Sequence, residues 1–179
     1  MKFAIITHAV HKVYKQQIFA YEPYVKEMNL WIKHLDHVCI VAPFSSEEVT
    51  AIECEYNSDS QLYMKSQNLV VEEKHSNDHS YSVLYKERNR RINLTVIPSF
   101  DVQSLINGIK TIFKIPIICY HIFKAMLWAD HIHLRCPGNI GLLGCMVQIL
   151  LPRKSKTVKY AGNWDPNSKQ PLSYRLQKW

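Results

Sequence analysis

Hydrophobic positions along this chain fall in short runs, each stopped by a turn signal. The runs are Lys2–Thr7 (KFAIIT), His37–Ala42 (HVCIVA), Asn93–Ile97 (NLTVI), His131–Arg135 (HIHLR) and Thr157–Ala161 (TVKYA). Pro43, Pro98 and Pro137 follow three of them closely. Short β-rich runs separated by helical patterns read as β-α-β units. They predict an α/β domain in three layers, a mostly parallel sheet flanked by helices.

The segments between the runs carry helical spacing. Pro23 suits a first helical position, where a missing N–H costs nothing. Tyr24, Met28, Trp31 and Leu35 then recur on one face, with Lys26 and Lys33 off it. A second helix is expected after Asp101 as N-cap, through Leu105, Ile109, Ile112 and Phe113, and Pro116 either kinks it or starts a new helix running to Trp128. A third is expected from Asn139, with Gly141 and Gly144 allowing close approach to a strand. Between 45 and 91 the pattern weakens. Ser45 and Glu48 resemble a capping box followed by a helical face of Val49, Ile52 and Tyr56, and QLYMKSQNLVVEE could form a hairpin in a polar excursion.

A chain of 179 residues suits one domain, expected over 1–170, with a short appendage at 171–179. Hydrophobic residues at 47% and charged residues at 21% exclude global disorder. The formal charge of +7 favours anionic partners without selecting one. No glycine string matches a dinucleotide fingerprint or a P-loop. Five cysteines without C-x-x-C spacing fit a reducing compartment, and the first apolar run is too short for a signal peptide. The cytosol is therefore the expected location, with the inner membrane surface as a working site.

Candidate chemistry gathers after the strands, where open α/β sheets bind ligands. About fourteen residues separate the first run from Pro23, long for such a connection, and they include His8, His11, Lys12 and Lys15. This segment reads as a functional loop or as a solvated basic one. Strand alternation puts His131, His133 and Arg135 on one face. Arg135, just before the helix from Asn139, could line an anion or hydroxyl site, or pair with a carboxylate; the cleft is the expectation. Asn163 and Trp164 follow the last strand, as ligand contacts or as a turn with a buried Trp. No His or Cys spacing fits a zinc site, so no metal is expected. Lys110, Lys114, His121 and Lys124 fall in one arc of the long helix, the pattern of an interfacial helix with peripheral membrane contact, or of a solvated helix edge. The lysines are otherwise dispersed and no RNA-binding motif is present, so nucleic acid is not the expected partner.

THAVH after the first strand, AYEPYVKEMNLW on the first helix, ADHIHLRCPGNIGLLG and VKYAGNW together resemble the N-terminal, acceptor-side half of a GT-B glycosyltransferase, most like family 4. The resemblance implies a Rossmann-like domain and a linker helix in PLSYRLQKW. It also implies a separate donor-binding domain absent from this chain, and a nucleotide-sugar donor for the full enzyme. The activity it implies is sugar transfer to a carbohydrate or lipid-linked acceptor in cell-surface polysaccharide synthesis. This chain alone would be inactive and would hold no cofactor. By position, His8 and His11 would line the cleft, Arg135 its floor, and Asn163 with Trp164 the acceptor border; no catalytic residue is assigned. The alternative from the residues is a stand-alone anion- or nucleic-acid-binding α/β module without catalysis.

Overall fold

The computed structural model describes residues 1–14, 17–56, 84–87, 90–98, 105–165 and 168–177. In chain order the strands are β1 (Lys2–Ile6), β2 (Lys12–Tyr14), β3 (Gln17–Tyr21), β4 (His37–Pro43), β5 (Glu53–Glu55), β6 (Leu84–Glu87), β7 (Arg90–Ile97), β8 (His131–Cys136) and β9 (Ser155–Tyr160). The helices are α1 (Glu22–Ile32), α2 (Leu105–Trp128), α3 (Asn139–Val147) and α4 (Leu172–Leu176), with a 3-10 turn at Gln148–Leu150 after α3.

The main sheet runs β6-β7-β4-β1-β8-β9, and all of it is parallel except the antiparallel edge strand β6. β1 is central: Ile5 stands opposite Ile40 on one side and His133 on the other. Phe3, Ala4, Ile5 and Ile6 are all buried, because a parallel strand covered on both faces buries alternate and intervening residues alike. This is the Rossmann-like three-layer arrangement that the five apolar runs predict. One core holds α1, Phe3, Ile5 and the small strands; the other holds α2, α3, Ala4 and Ile6.

Several expectations change on folding. The segment after β1, expected as a functional loop or a solvated basic one, forms strands, with His11 and Lys12 buried and His8, Val10 and Tyr14 exposed. β2 and β3 form a hairpin that β5 extends into a second, three-stranded antiparallel sheet. No helix forms over residues 45–56: the Ser45 hydroxyl accepts the Glu47 N–H, the Glu53 carboxylate accepts the Thr50 N–H, and the chain then joins β3 as β5. Local turn chemistry and a sheet edge outweigh the helical spacing. Pro116 does not end α2, whose face of Ile118, Ile122 and Met126 is fully buried and carries the helix across it. In α1, Tyr24 and Met28 face the core as expected, but Ile32 takes the third position and Trp31 sits half-exposed at the edge. Asp101 and the expected hairpin at QLYMKSQNLVVEE lie outside the described residues.

α3 lies tight on the sheet because Gly144 has no side chain. A Cβ there would meet Leu134 Cδ2 at 2.9 Å and Ile6 Cγ2 at 3.3 Å. Gly144→Val should lift α3 and destabilise the domain by about 1–3 kcal/mol, as overpacking does. The readout is a lower urea midpoint at unchanged slope; an unchanged midpoint would show that α3 does not depend on this contact.

Candidate functional site

The strand order reverses between β1 and β8, because β4 and β7 continue on one side of β1 while β8 starts on the other. The carboxyl ends of these two strands open the crevice where ligands of such sheets bind. Thr7 closes the β1 end: its N–H donates to the Val41 carbonyl at 3.1 Å and its Oγ1 accepts the Ala9 N–H at 3.1 Å. The turn lifts His8 and Val10 to the surface. Across the crevice the cis Cys136–Pro137 bond leads into Gly138 and the first turn of α3.

Gly138 and His8 fit each other closely. A Cβ on Gly138 would lie 2.7 Å from the His8 ring, so only glycine lets the imidazole rest against the helix start. Crowding by the surrounding chain, and then the Arg135 charge, hold the His8 pKa below the ordinary histidine value. At neutral pH the ring is uncharged and can both donate and accept a hydrogen bond. The helix start itself is partly occupied: the Gln177 side chain accepts the Gly138 N–H at 3.3 Å and donates to the Gly138 carbonyl at 3.1 Å.

Beneath the crevice on the α1 side lies a buried polar cluster. His11 is fully buried. Its Nδ1 lies 2.8 Å from the Ala9 carbonyl, which can only accept, so Nδ1 carries the proton. Nε2 then accepts the Tyr56 hydroxyl at 2.7 Å. Burial lowers the His11 pKa to about 4 and raises that of Tyr24 to about 12, so both stay neutral. The Arg135 guanidinium lies over the Tyr24 ring at 4.8 Å and donates to Glu27 Oε2 at 2.8 Å, while Lys159 holds the other carboxylate oxygen at 2.5 Å. Burial works against the Glu27 charge, but the hydrogen bonds from Lys159 and Arg135 outweigh it and keep the carboxyl below its ordinary pKa.

The residues singled out from sequence thus part company. The His8 ring rests at the crevice against Gly138, the residue before Asn139 at the start of α3. His11 does not line the crevice; its ring serves Tyr56 and Ala9 instead. Lys12 is buried too, bound to Glu53 at 3.1 Å and to the Glu48 carbonyl at 2.8 Å. Arg135 takes the carboxylate pair rather than an open cleft position, because its face of β8 meets α1, where Glu27 stands. Lys15 lies outside the described residues. Asn163 and Trp164 are exposed; Trp164, at 63% exposure, tilts against Tyr160 at 4.7 Å and is not the buried Trp of a turn. Their loop borders the crevice: a Cβ on Gly162 would touch Pro137 at 2.7 Å, and the Ala161 N–H donates to the Cys136 carbonyl.

Glu27, Tyr56 and Gln177 organise the site without having stood out in the sequence. Glu27 and Gln177 looked like ordinary surface residues, and only the register of β8 and the docking of α4 give them partners. Among the described residues no group of His, Cys, Asp and Glu side chains could hold a metal ion, and no helix is long and apolar enough to cross a membrane. In comparisons with known proteins, no family model, no curated protein and no solved structure gave a significant match to this chain.

Proposed function

We propose that this domain is the acceptor-binding half of a sugar-transferring enzyme of the GT-B type, moving a sugar from a nucleotide-sugar donor to a carbohydrate or lipid-linked acceptor. The observation that carries the reading is the exposed Trp164 ring, tilted against half-buried Tyr160 on the loop packed against Pro137, with His8 against Gly138. An aromatic face beside uncharged hydrogen-bonding groups suits a polyhydroxylated ring. The cations nearest the crevice favour this over the anion-binding alternative, because Arg135, Lys159 and Lys12 each already hold a carboxylate. In this reading His8 orients an acceptor hydroxyl, and a separate donor domain supplies the activated sugar.

The test is chemical-shift mapping with a panel of oligosaccharides and with nucleoside diphosphate sugars. Oligosaccharides should shift the Gly138, Asn139 and Asn163 amides and quench Trp164 fluorescence. Gly138→Ala, which displaces the His8 ring, should weaken that binding at least tenfold while the domain stays folded. Shifts from nucleotide sugars alone, or from no carbohydrate, would overturn the assignment.

A further inference from the structure

The long helix α2 is buried along one side, yet its other side is also apolar. Phe113, Ile117, Tyr120 and Leu127 recur at helical spacing on the outward face, opposite Ile118, Ile122 and Met126 in the core. Phe113 is 79% exposed. α3 packs beside α2 on the same core, and the 3-10 turn at its end presents Ile149 at 74% and Leu150 at 69% exposure. Lys154 ties this turn to the end of α2, donating to the Leu127 and Ala129 carbonyls at 2.9 and 2.5 Å. Exposed apolar side chains therefore extend over two neighbouring elements, beyond the scattered ones any surface carries.

The charge on this side decides the occupant. Lys114, Lys124 and Arg153 are exposed on this side, whereas Arg135 and Lys159 lie on the α1 side of the sheet and hold Glu27. Lys124 stands within the apolar stripe, between Tyr120 and Leu127, with its ammonium 6.0 Å from the Tyr120 ring centre, and Lys114 lies beside the stripe. His121, expected on the basic stripe, is turned inward instead. Two copies of this face would bring like charges together. An anionic bilayer offers both halves of what it lacks: acyl chains for Phe113, Ile149 and Leu150, and headgroups for Lys114 and Lys124.

We propose that the outer face of α2 and the Gln148–Leu150 turn seat this domain on the surface of an anionic lipid bilayer, lying on it without crossing. The proposal is independent of the acceptor reading, since none of its residues forms the crevice. Sedimentation with phosphatidylcholine vesicles, with and without phosphatidylglycerol, tests it. The full chain should co-sediment with the anionic vesicles at near-physiological salt and at least tenfold less with the neutral ones. Phe113→Ser, Ile149→Ser and Leu150→Ser combined should cut anionic binding at least tenfold, and Lys114→Glu with Lys124→Glu should do the same. Unchanged circular dichroism and urea midpoints would show that the variants remain folded. Binding indifferent to the three apolar substitutions would reduce the effect to net charge and overturn the proposal. So would a dimer, seen by sedimentation equilibrium, that the same substitutions dissolve without any lipid affinity.

Discussion

Replacing His133 with leucine should flatten the loss of stability that the protein suffers as the pH falls below about 6.5. The ring is completely buried between Trp31 at 5.1 Å and Phe3 at 6.0 Å, and neither nitrogen has a hydrogen-bond partner among the described residues. Burial is the main cause that lowers its pKa to about 4; Glu27 pulls the other way, and Arg135, His131 and Lys159 add to the lowering. The unfolded chain binds a proton near 6.5 and the folded one does not until about 4, so stability declines between those values as acid is added. The loss from this one ring is about 2 kcal/mol by pH 5. His11, also with a pKa lowered to about 4, adds a similar loss and remains in the variant as an internal reference. Urea midpoints near neutrality and near pH 5 should therefore converge in His133→Leu, without vanishing as a difference. At neutral pH the variant should be no less stable, since leucine removes two unpaired buried nitrogens from an aromatic setting. Equal pH slopes in the two proteins would show that His133 is solvated or paired when folded.

β1 and β4 were the most readable of the parallel strands, because each is buried on both faces and appears as a continuous apolar run. β9, at the sheet edge and without a buried residue, was marked only by its β-branched residues and the glycine after it. The hairpin of β2 and β3 was not readable, for a tertiary reason. His11 and Lys12 are polar yet buried, and what buries them, Tyr56 and Glu53, comes from some forty residues further along the chain. A local reading of that segment sees a basic loop. The helical spacing of Val49, Ile52 and Tyr56 misled in the same way: Tyr56 is buried through its hydroxyl contact with His11, and Ile52 is exposed. His8 and Asn139 could be placed from sequence because strand ends fix where a connection begins. Arg135 was placed on the correct strand face, but its partner was invisible, since a glutamate off the apolar stripe of α1 reads as solvent-facing until α1 packs on β8.

That partnership makes Glu27 the residue whose loss should unbalance the floor of the site most. Glu27→Ala leaves two cations, Arg135 and Lys159, without their shared carboxylate, and Arg135 cannot shed its charge. Removing one member of a fully buried pair costs about 3–5 kcal/mol. Here the two side chains keep 14% and 20% exposure, so screening reduces the expected loss to about 2 kcal/mol. For a domain of this size that lowers Tm by about 4–8 °C. Arg135→Met should cost less, because Lys159 still holds Glu27 and the methionine can cover Tyr24 in place of the guanidinium. Glu27→Leu combined with Arg135→Met should recover most of the loss, as apolar replacement of an ion pair tends to do. The sign of the pH effect follows from the lowered carboxyl pKa. The pair stabilises fully above the unfolded carboxylate's value of about 4.3 and loses that contribution as pH falls through the lower folded value. The Tm gap between the parent protein and Glu27→Ala should therefore be wide at neutral pH and narrow as the pH falls below the unfolded carboxylate's value. A gap independent of pH, or a larger loss in Arg135→Met than in Glu27→Ala, would mean that packing over Tyr24 rather than charge holds this corner together.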